Sequence, residues 1–181
     1  LFLPFKSTLI FKVNDNNSNT NGATVSAVIS GNTQINTPSI GLWLNGGSAS
    51  ASFSGPMAAA FTGQTTYIDQ TNNGTDAPSA KMDATNVSFD GVTGGAATLA
   101  QNFAIVDKIN HKVDNSDLGL VRVKATHLFV TTNSYIIPAT AIASVQRGID
   151  AATSGDVVNV NNGTFVENVN LNKGVTVTGQ G

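Results

Sequence analysis

Residues 1–95 consist of short runs in which apolar and polar residues alternate, separated by clusters of Gly, Asn and Ser. Alternation with a period of two is typical of a β-strand that buries one face. The clusters of Gly and Asn indicate tight turns between these strands. We therefore predict a series of short strands, including residues 8–13, 24–29, 40–44 and 49–53.

One three-residue motif recurs along the chain: an apolar residue, then Ser or Thr, then Gly. It occupies residues 29–31, 53–55, 61–63, 92–94 and 177–179. The first two copies are 24 residues apart, within the roughly 20–29 residues expected of one solenoid coil. The motif predicts an inward apolar residue that closes a strand, followed by a glycine that permits a corner.

A helical pattern occurs first in residues 103–113, where Phe103, Val106, Ile109 and Val113 are three or four residues apart. This is the spacing of one helix face, and Asn102 is positioned to cap the first turn. Alternation returns in residues 119–124 and 127–131, which we predict to be strands.

Residues 144–152 form a second amphipathic pattern, and a Ser-Gly-Asp turn at 154–156 ends it. Short β segments are predicted after it, at residues 157–160, 162–165, 169–171 and 175–179. A short helix followed by such strands resembles the opening of a bacterial right-handed parallel β-helix of the pectate-lyase-like kind, most closely over residues 140–181. The resemblance implies a helix that caps the first coil of a solenoid.

The predicted fold is mainly β: coils of a parallel β-helix, a small α+β bridge and a short capping helix. The predicted regions are 1–95 for solenoid-like coils, 96–137 for the bridge, and 138–181 for the capping helix and first coils of a β-helix. A β-sandwich produces similar alternation and stays an alternative.

Composition excludes several functional classes. Charged residues are 11% of the chain and the net charge is −2, so we expect no nucleic-acid partner. No apolar run approaches the roughly 20 residues of a membrane span, and the chain has no cysteine for disulfides or thiolate metal sites. The apolar residues 1–5 lack a basic flank, so we do not expect a signal peptide. Because the sequence starts within a predicted strand region, we expect a processed or excised piece.

The resemblance to Asn- and Thr-rich bacterial surface repeat proteins implies an extracellular or cell-surface structural role, as a filament, sheath, stalk or adhesin. A coil cannot bury its apolar face without neighbours, so open coil ends predict head-to-tail self-association that does not close. The residues predicted to form that interface are Phe2, Phe5, Ile10 and Phe11 at one end and Val169, Leu171, Val175 and Val177 at the other.

Two alternatives remain open from the sequence. The chain is either the non-catalytic N-terminal part of a carbohydrate-active β-helix protein, with an acidic cleft encoded beyond Gly181, or a glycan-binding module that uses Trp43 and Tyr67. Alternation places Trp43 opposite Leu42 and Leu44, so its ring is predicted to face outward.

Candidate catalytic chemistry is sparse, and we expect neither an enzyme nor a cofactor. Arg122, Arg147 and Glu167 are separated from any acidic cluster in sequence, and Glu167 and Asp156 are interpreted as turn residues. His111 and His127 have no third ligand nearby and are interpreted as packing or surface residues. Oxygen ligands alternate at Asp15, Asn17 and Asn19, a weak calcium candidate because the loop lacks a glycine at its sixth position and a closing glutamate.

Overall fold

The structure, a computed structural model, describes residues 11–14, 25–45, 49–70, 81–134 and 143–180. Strands account for 37% of the residues and helices for 11%, so the prediction of a mainly β protein is confirmed. The elements are β1 Phe11–Asn14, β2 Val25–Ser30, β3 Thr33–Ile35, β4 Ile40–Asn45, β5 Ala49–Ser54, β6 Ala59–Phe61, β7 Thr66–Asp69, β8 Met82–Asp83, β9 Ser88–Phe89, β10 Val92–Thr93, α1 Leu99–Val106, β11 Ile109–Asn110, β12 Val121–Arg122, β13 His127–Val130, α2 Val145–Ala151, β14 Val157–Val160 and β15 Thr176–Gly179.

Most strand pairs in this structure are parallel. We call the stretch of chain from one strand to the next strand that pairs with it in parallel a pass. The sheets have the orders β1-β4-β7-β11, β10-β9-β6-β3, β12-β8, β13-β14-β15 and β2-β5. Among the described strands, only β9 and β10 pair in antiparallel fashion, whereas the alternative β-sandwich requires antiparallel sheets. The pairing therefore disfavours the sandwich.

The register of these pairs stacks like side chains on one another. Ile35 pairs with Phe61, and Phe61 pairs with Phe89 one pass later. All three side chains are buried, and the rings of Phe61 and Phe89 stack with centroids 5.5 Å apart and planes 11° apart. Leu42 and Ile68 form a second such step. Alternation in the sequence thus produces ladders of apolar side chains, because equivalent positions of paired strands face the same way.

The recurring motif marks a corner in three of its five copies. Gly31, Gly55 and Gly63 have φ values of 71°, 83° and 78°, the left-handed region that glycine enters without a steric penalty. The first two copies are also in register, since Ile29 pairs with Phe53. The copies at 92–94 and 177–179 overlap strands β10 and β15 and contain no glycine with positive φ.

The first helix begins and ends earlier than the sequence pattern predicts. It spans Leu99–Val106, and its N-cap is Thr98 rather than Asn102. The Thr98 hydroxyl accepts from the Gln101 backbone N–H while the Gln101 side chain accepts from the Thr98 N–H, which is a capping box. Asn102 instead lies buried, where its amide donates to the Gly94 carbonyl. Ile109 belongs to β11, because the helical spacing continues by coincidence into a strand.

The C-terminal region confirms the predicted helix and only two of the four β segments after it. Ser144 caps α2, and its hydroxyl accepts from the Arg147 N–H. Strands β14 and β15 match the segments predicted at 157–160 and 175–179, whereas residues 162–165 and 169–171 form no strand. The strand predicted at 119–124 is likewise reduced to β12. In these stretches the backbone pairs elsewhere, for example from the Asn170 N–H to the side chain of Gln146.

Two clusters of buried side chains support these elements. The larger cluster includes Phe61, Phe89 and Phe103, and the smaller one includes Leu128, Ile149 and Val158, where α2 packs on β13 and β14. The helices α1 and α2 therefore belong to different clusters. The domain boundaries predicted at 95/96 and 137/138 stay predictions.

Candidate functional site

A tight hairpin formed by β9 and β10 positions one member of a group of three interacting polar side chains. Asp90 and Gly91 form its two-residue loop and have φ values of 47° and 85°. Positive φ at both positions characterises a type I′ turn, for which Asp-Gly is a favoured pair. The turn directs Asp90 towards the neighbouring pass of the chain, where its Oδ1 accepts from the Gly63 N–H at 2.8 Å.

Asp90 forms a polar trio with Tyr67 on β7 and Lys108 just before β11. The Tyr67 hydroxyl donates to Asp90 Oδ2 at 2.6 Å, and Lys108 Nζ donates to the Tyr67 hydroxyl at 3.3 Å. Lys108 Nζ also lies 3.6 Å from Asp90 Oδ2 and 4.7 Å from the centre of the Tyr67 ring. Each member therefore fixes the other two.

The trio combines an ionised carboxylate with a neutral phenol. The hydrogen bond from Tyr67 lowers the pKa of Asp90 below its usual value, although partial burial acts in the opposite direction. Burial and the bond to the Asp90 carboxylate raise the pKa of Tyr67. Asp90 consequently stays ionised at neutral pH, opposite the Lys108 ammonium.

A half-open cleft of about 180 Å³ lies beside this trio. The hairpin forms one wall and α1 the other, so that the lining combines apolar carbons with the three polar groups. Val92, Ala104 and Ile105 contribute apolar carbons to the lining, and Gln101 contributes a carboxamide. The cleft is therefore bounded by the β9–β10 hairpin and by α1, which follow one another in the chain between β8 and β11.

The two aromatic residues predicted to contact glycans have different environments. Tyr67 lines the cleft but is only 3% exposed, so its ring is not an open stacking platform. Trp43 is half-buried, while Leu42 and Leu44 on either side of it are fully buried. Trp43 thus points away from the core side of β4, as alternation predicts.

A second candidate surface lies after α2, at the residues predicted to mediate assembly. Leu171 is 60% exposed, Val169 44% and Val177 38%, and Val166 nearby is 80% exposed. We name these four residues the terminal apolar surface. All four residues of β15 are exposed, and β15 is one of the two edge strands of its sheet. Val175 instead packs against the smaller cluster.

The other predicted site residues fall outside what the structure describes. Phe2, Phe5 and Ile10 lie in residues 1–10, and the calcium candidate of Asp15, Asn17 and Asn19 lies in residues 15–24. Phe11 belongs to β1, for which only backbone pairing with β4 is described. In the described ranges, no group of three or more His, Asp or Glu side chains is placed to hold a metal ion.

Asp156 and Glu167, interpreted as turn residues, both hold distant parts of the fold together; Asp156 is buried and Glu167 is half-buried. The two terminal guanidinium nitrogens of Arg122 donate to Asp156, at 3.1 and 2.8 Å, and Thr153 adds two further bonds. Glu167 accepts from the Ser144 hydroxyl and from the backbone N–H groups of Val145 and Gln146. The carboxylate therefore satisfies free donors at the start of α2, where negative charge is also stabilised by the helix dipole.

No family model, curated protein or solved structure matches the chain. Within the described residues, neither helix has the length or apolar character to cross a membrane.

Sequence reasoning missed the trio, although one signal for it was available. Asp90-Gly91 follows Ser88-Phe89 and precedes Val92, and Asp-Gly between apolar positions is a strong short-range hairpin signal. Nothing local connects Asp90 to Tyr67, 23 residues earlier, or to Lys108. Their contact depends on the register of the parallel passes, which the sequence does not specify at single-residue precision.

Proposed function

We propose that this chain is a structural segment of an extracellular or cell-surface bacterial protein, built as a parallel β-solenoid. The observation that supports the proposal most is the stacking of equivalent residues in parallel register, such as Ile35 on Phe61 on Phe89. Chains that repeat one pass in this way extend along a single axis and form stiff rods. The low charge, with Asn, Thr and Ser dominating the polar residues, suits a hydrated scaffold surface. The proposal includes no catalytic step.

The terminal apolar surface supports the further proposal that copies associate end to end. An edge strand with exposed backbone and apolar neighbours favours pairing with another strand. Among the described strands that the chain forms first, β1, β2 and β3 each lie at the edge of a sheet. A second copy that places β2 or β3 on β15 makes a heterologous contact, and repetition of that contact produces a filament.

The test is the size and shape of the purified chain as a function of its concentration, followed by light scattering and negative-stain electron microscopy. We expect rods that lengthen with concentration. Leu171→Asp should shorten or abolish them, because it buries a charge in the contact. Met57→Asp is the matched control, since Met57 is 50% exposed but lies in the turn between β5 and β6.

Two other outcomes separate the parts of the proposal. If small-angle scattering shows elongated monomers, the solenoid proposal stands and the self-association proposal is wrong. The partner that pairs with β15 would then be sought in another segment of a longer chain. Rods that persist unchanged in Leu171→Asp would show that the contact lies elsewhere.

A further inference from the structure

The cleft beside α1 is a small, preformed site that a purely structural role does not use. We propose that it binds one neutral pyranose unit of a glycan, with Asp90 and Lys108 as the hydrogen-bonding residues. The inference goes beyond the structural function and does not depend on end-to-end association.

The size and lining of the cleft suit a single ring. Its volume of about 180 Å³ is below the roughly 300–1,000 Å³ of sites for drug-sized ligands. Val92, Ala104 and Ile105 provide carbon surface on which the C–H face of a sugar ring can pack, while the polar trio contributes charged groups and a hydroxyl to the same cleft. A pyranose likewise combines an apolar face with a rim of hydroxyls.

Hydrogen-bonding capacity remains on both charged members of the trio. An ionised carboxylate accepts about four hydrogen bonds, and Asp90 receives one from Tyr67 and one from the Gly63 N–H. The Lys108 ammonium has three donors, of which one is directed to Tyr67 and one faces Asp90. Two hydroxyls on neighbouring ring carbons can therefore donate to Asp90 and accept from Lys108.

The charges of the cleft favour a neutral ligand. Lys108 Nζ and Asp90 Oδ2 are 3.6 Å apart, so an anion attracted by one group is repelled by the other, and the same holds for a cation. A purely apolar ligand would remove the carboxylate and the ammonium from water without replacing their hydrogen bonds, which costs free energy. A ligand with hydroxyls supplies those bonds.

Asp90 is also held in place before any ligand binds. The type I′ turn fixes its backbone, and the bonds from Tyr67 and Gly63 fix both carboxylate oxygens. Preorganised polar groups lose less conformational freedom on binding, so a weak, single-ring ligand gains more from them.

The experiment is a titration of the whole chain with the methyl α-pyranosides of glucose, galactose and mannose, followed by amide chemical shifts in two-dimensional NMR. We expect at least one of them to shift the amides of Gly63, Gly91 and Lys108 saturably. Asp90→Asn should weaken binding about tenfold, as expected for loss of a charged hydrogen-bond acceptor. The turn survives this change, because Asn-Gly is equally favoured in type I′ loops.

Matched variants and a probe without vicinal hydroxyls complete the design. Lys108→Met should also weaken binding about tenfold, and Ala104→Phe should abolish it by filling the cleft, whereas Lys81→Met and Asp83→Asn, both exposed and outside the cleft, should leave it unchanged. The proposal is wrong if no glycoside shifts these amides or if the shifts centre on Trp43. It is equally wrong if cyclohexanol binds as tightly as the glycosides and does so in Asp90→Asn.

Discussion

Ladders of paired strands are formed both by β2–β9 and by the region after α2, but the apolar residues of the two ladders are buried to different extents. In the first, Phe61 lies between Ile35 and Phe89 and is fully buried, because a paired strand covers it on each side. In the second, β15 is paired with β14 alone, and Val177 on it is 38% exposed. An apolar residue in such a ladder is buried by neighbouring passes rather than by its own sequence, so similar alternation gives a core residue in one place and a surface residue in another.

Truncation of one apolar side chain in each of the two regions provides the largest expected difference. Phe61→Ala removes a ring that contacts Phe53, Tyr67 and Phe89, and we expect it to lower the free energy of unfolding by about 3–5 kcal/mol. Leu171→Ala, at a 60% exposed residue, should change it by no more than about 0.5 kcal/mol. Urea unfolding of dilute, monomeric protein measures both.

A loss for Leu171→Ala comparable to that for Phe61→Ala would break the comparison, since the terminal apolar surface would then be part of a core. If Leu171→Ala instead becomes destabilising only at concentrations where rods form, the comparison is sharpened, because the neighbour that buries Leu171 would be another copy.

The ladders illustrate how far sequence alone leads. The strands at 24–29, 40–44 and 49–53 and the helix at 144–152 were predictable from period and turn residues, because these signals are local. The true start of α1 was also readable, since Thr98 and Gln101 have the spacing of a capping box. The helical spacing of Ile109 and Val113 was misleading, because buried strands and loops also place apolar residues three or four apart.

Contacts between distant residues could not be predicted in this way. Glu167 reaches the start of α2 from 22 residues away, and Arg122 reaches Asp156 across 34 residues. Each looks like an isolated charge in sequence, and only the register of the passes brings it to its partner. The polar trio at the cleft has the same origin, which explains why the fold class was predicted better than the site.

Arg122 and Asp156 connect β12, which pairs with the earlier passes through β8, to the start of β14. Arg122→Met leaves the buried Asp156 carboxylate without its cation, and we expect a loss of about 3 kcal/mol in the free energy of unfolding. Lys124→Met, which removes a lysine two residues away, is the matched control and should have a small effect. A small effect of Arg122→Met would mean that the two regions do not depend on this ion pair.

The same pair predicts an acid dependence. Burial acts to raise the pKa of Asp156, but hydrogen bonds from Arg122 and Thr153 outweigh it and the pKa lies below its usual value of 3.8. Because the folded state binds this proton less readily than the unfolded chain, the stabilisation is present above pH 3.8 and is lost as the pH falls through the lowered value. The stability of wild type should therefore fall more steeply in strong acid than that of Arg122→Met.

The smallest net effect on the pH dependence of stability is expected from His111 and Asp114. Their loop also connects the two regions, because Arg147 of α2 donates to the Asp114 carbonyl. Burial lowers the pKa of His111 to about 4 and raises that of Asp114 to about 7. As the pH falls from 7 to 4, the unfolded chain gains a proton on His111 while the folded chain gains one on Asp114. The two linkages have opposite signs and largely cancel in wild type.

Separate substitution of the two residues should reveal both linkages. Asp114→Asn retains only the histidine, so its stability relative to wild type should fall as the pH is lowered from 7 to 4. His111→Asn retains only the carboxyl, so its relative stability should rise over the same interval. Urea unfolding at several pH values measures the difference, with the other charges near the loop, Asp107 and Arg147, left unchanged. If the free energy of unfolding of both variants has the same pH dependence as that of wild type, His111 and Asp114 titrate like solvent-exposed residues. The contact between the two regions would then be open to water.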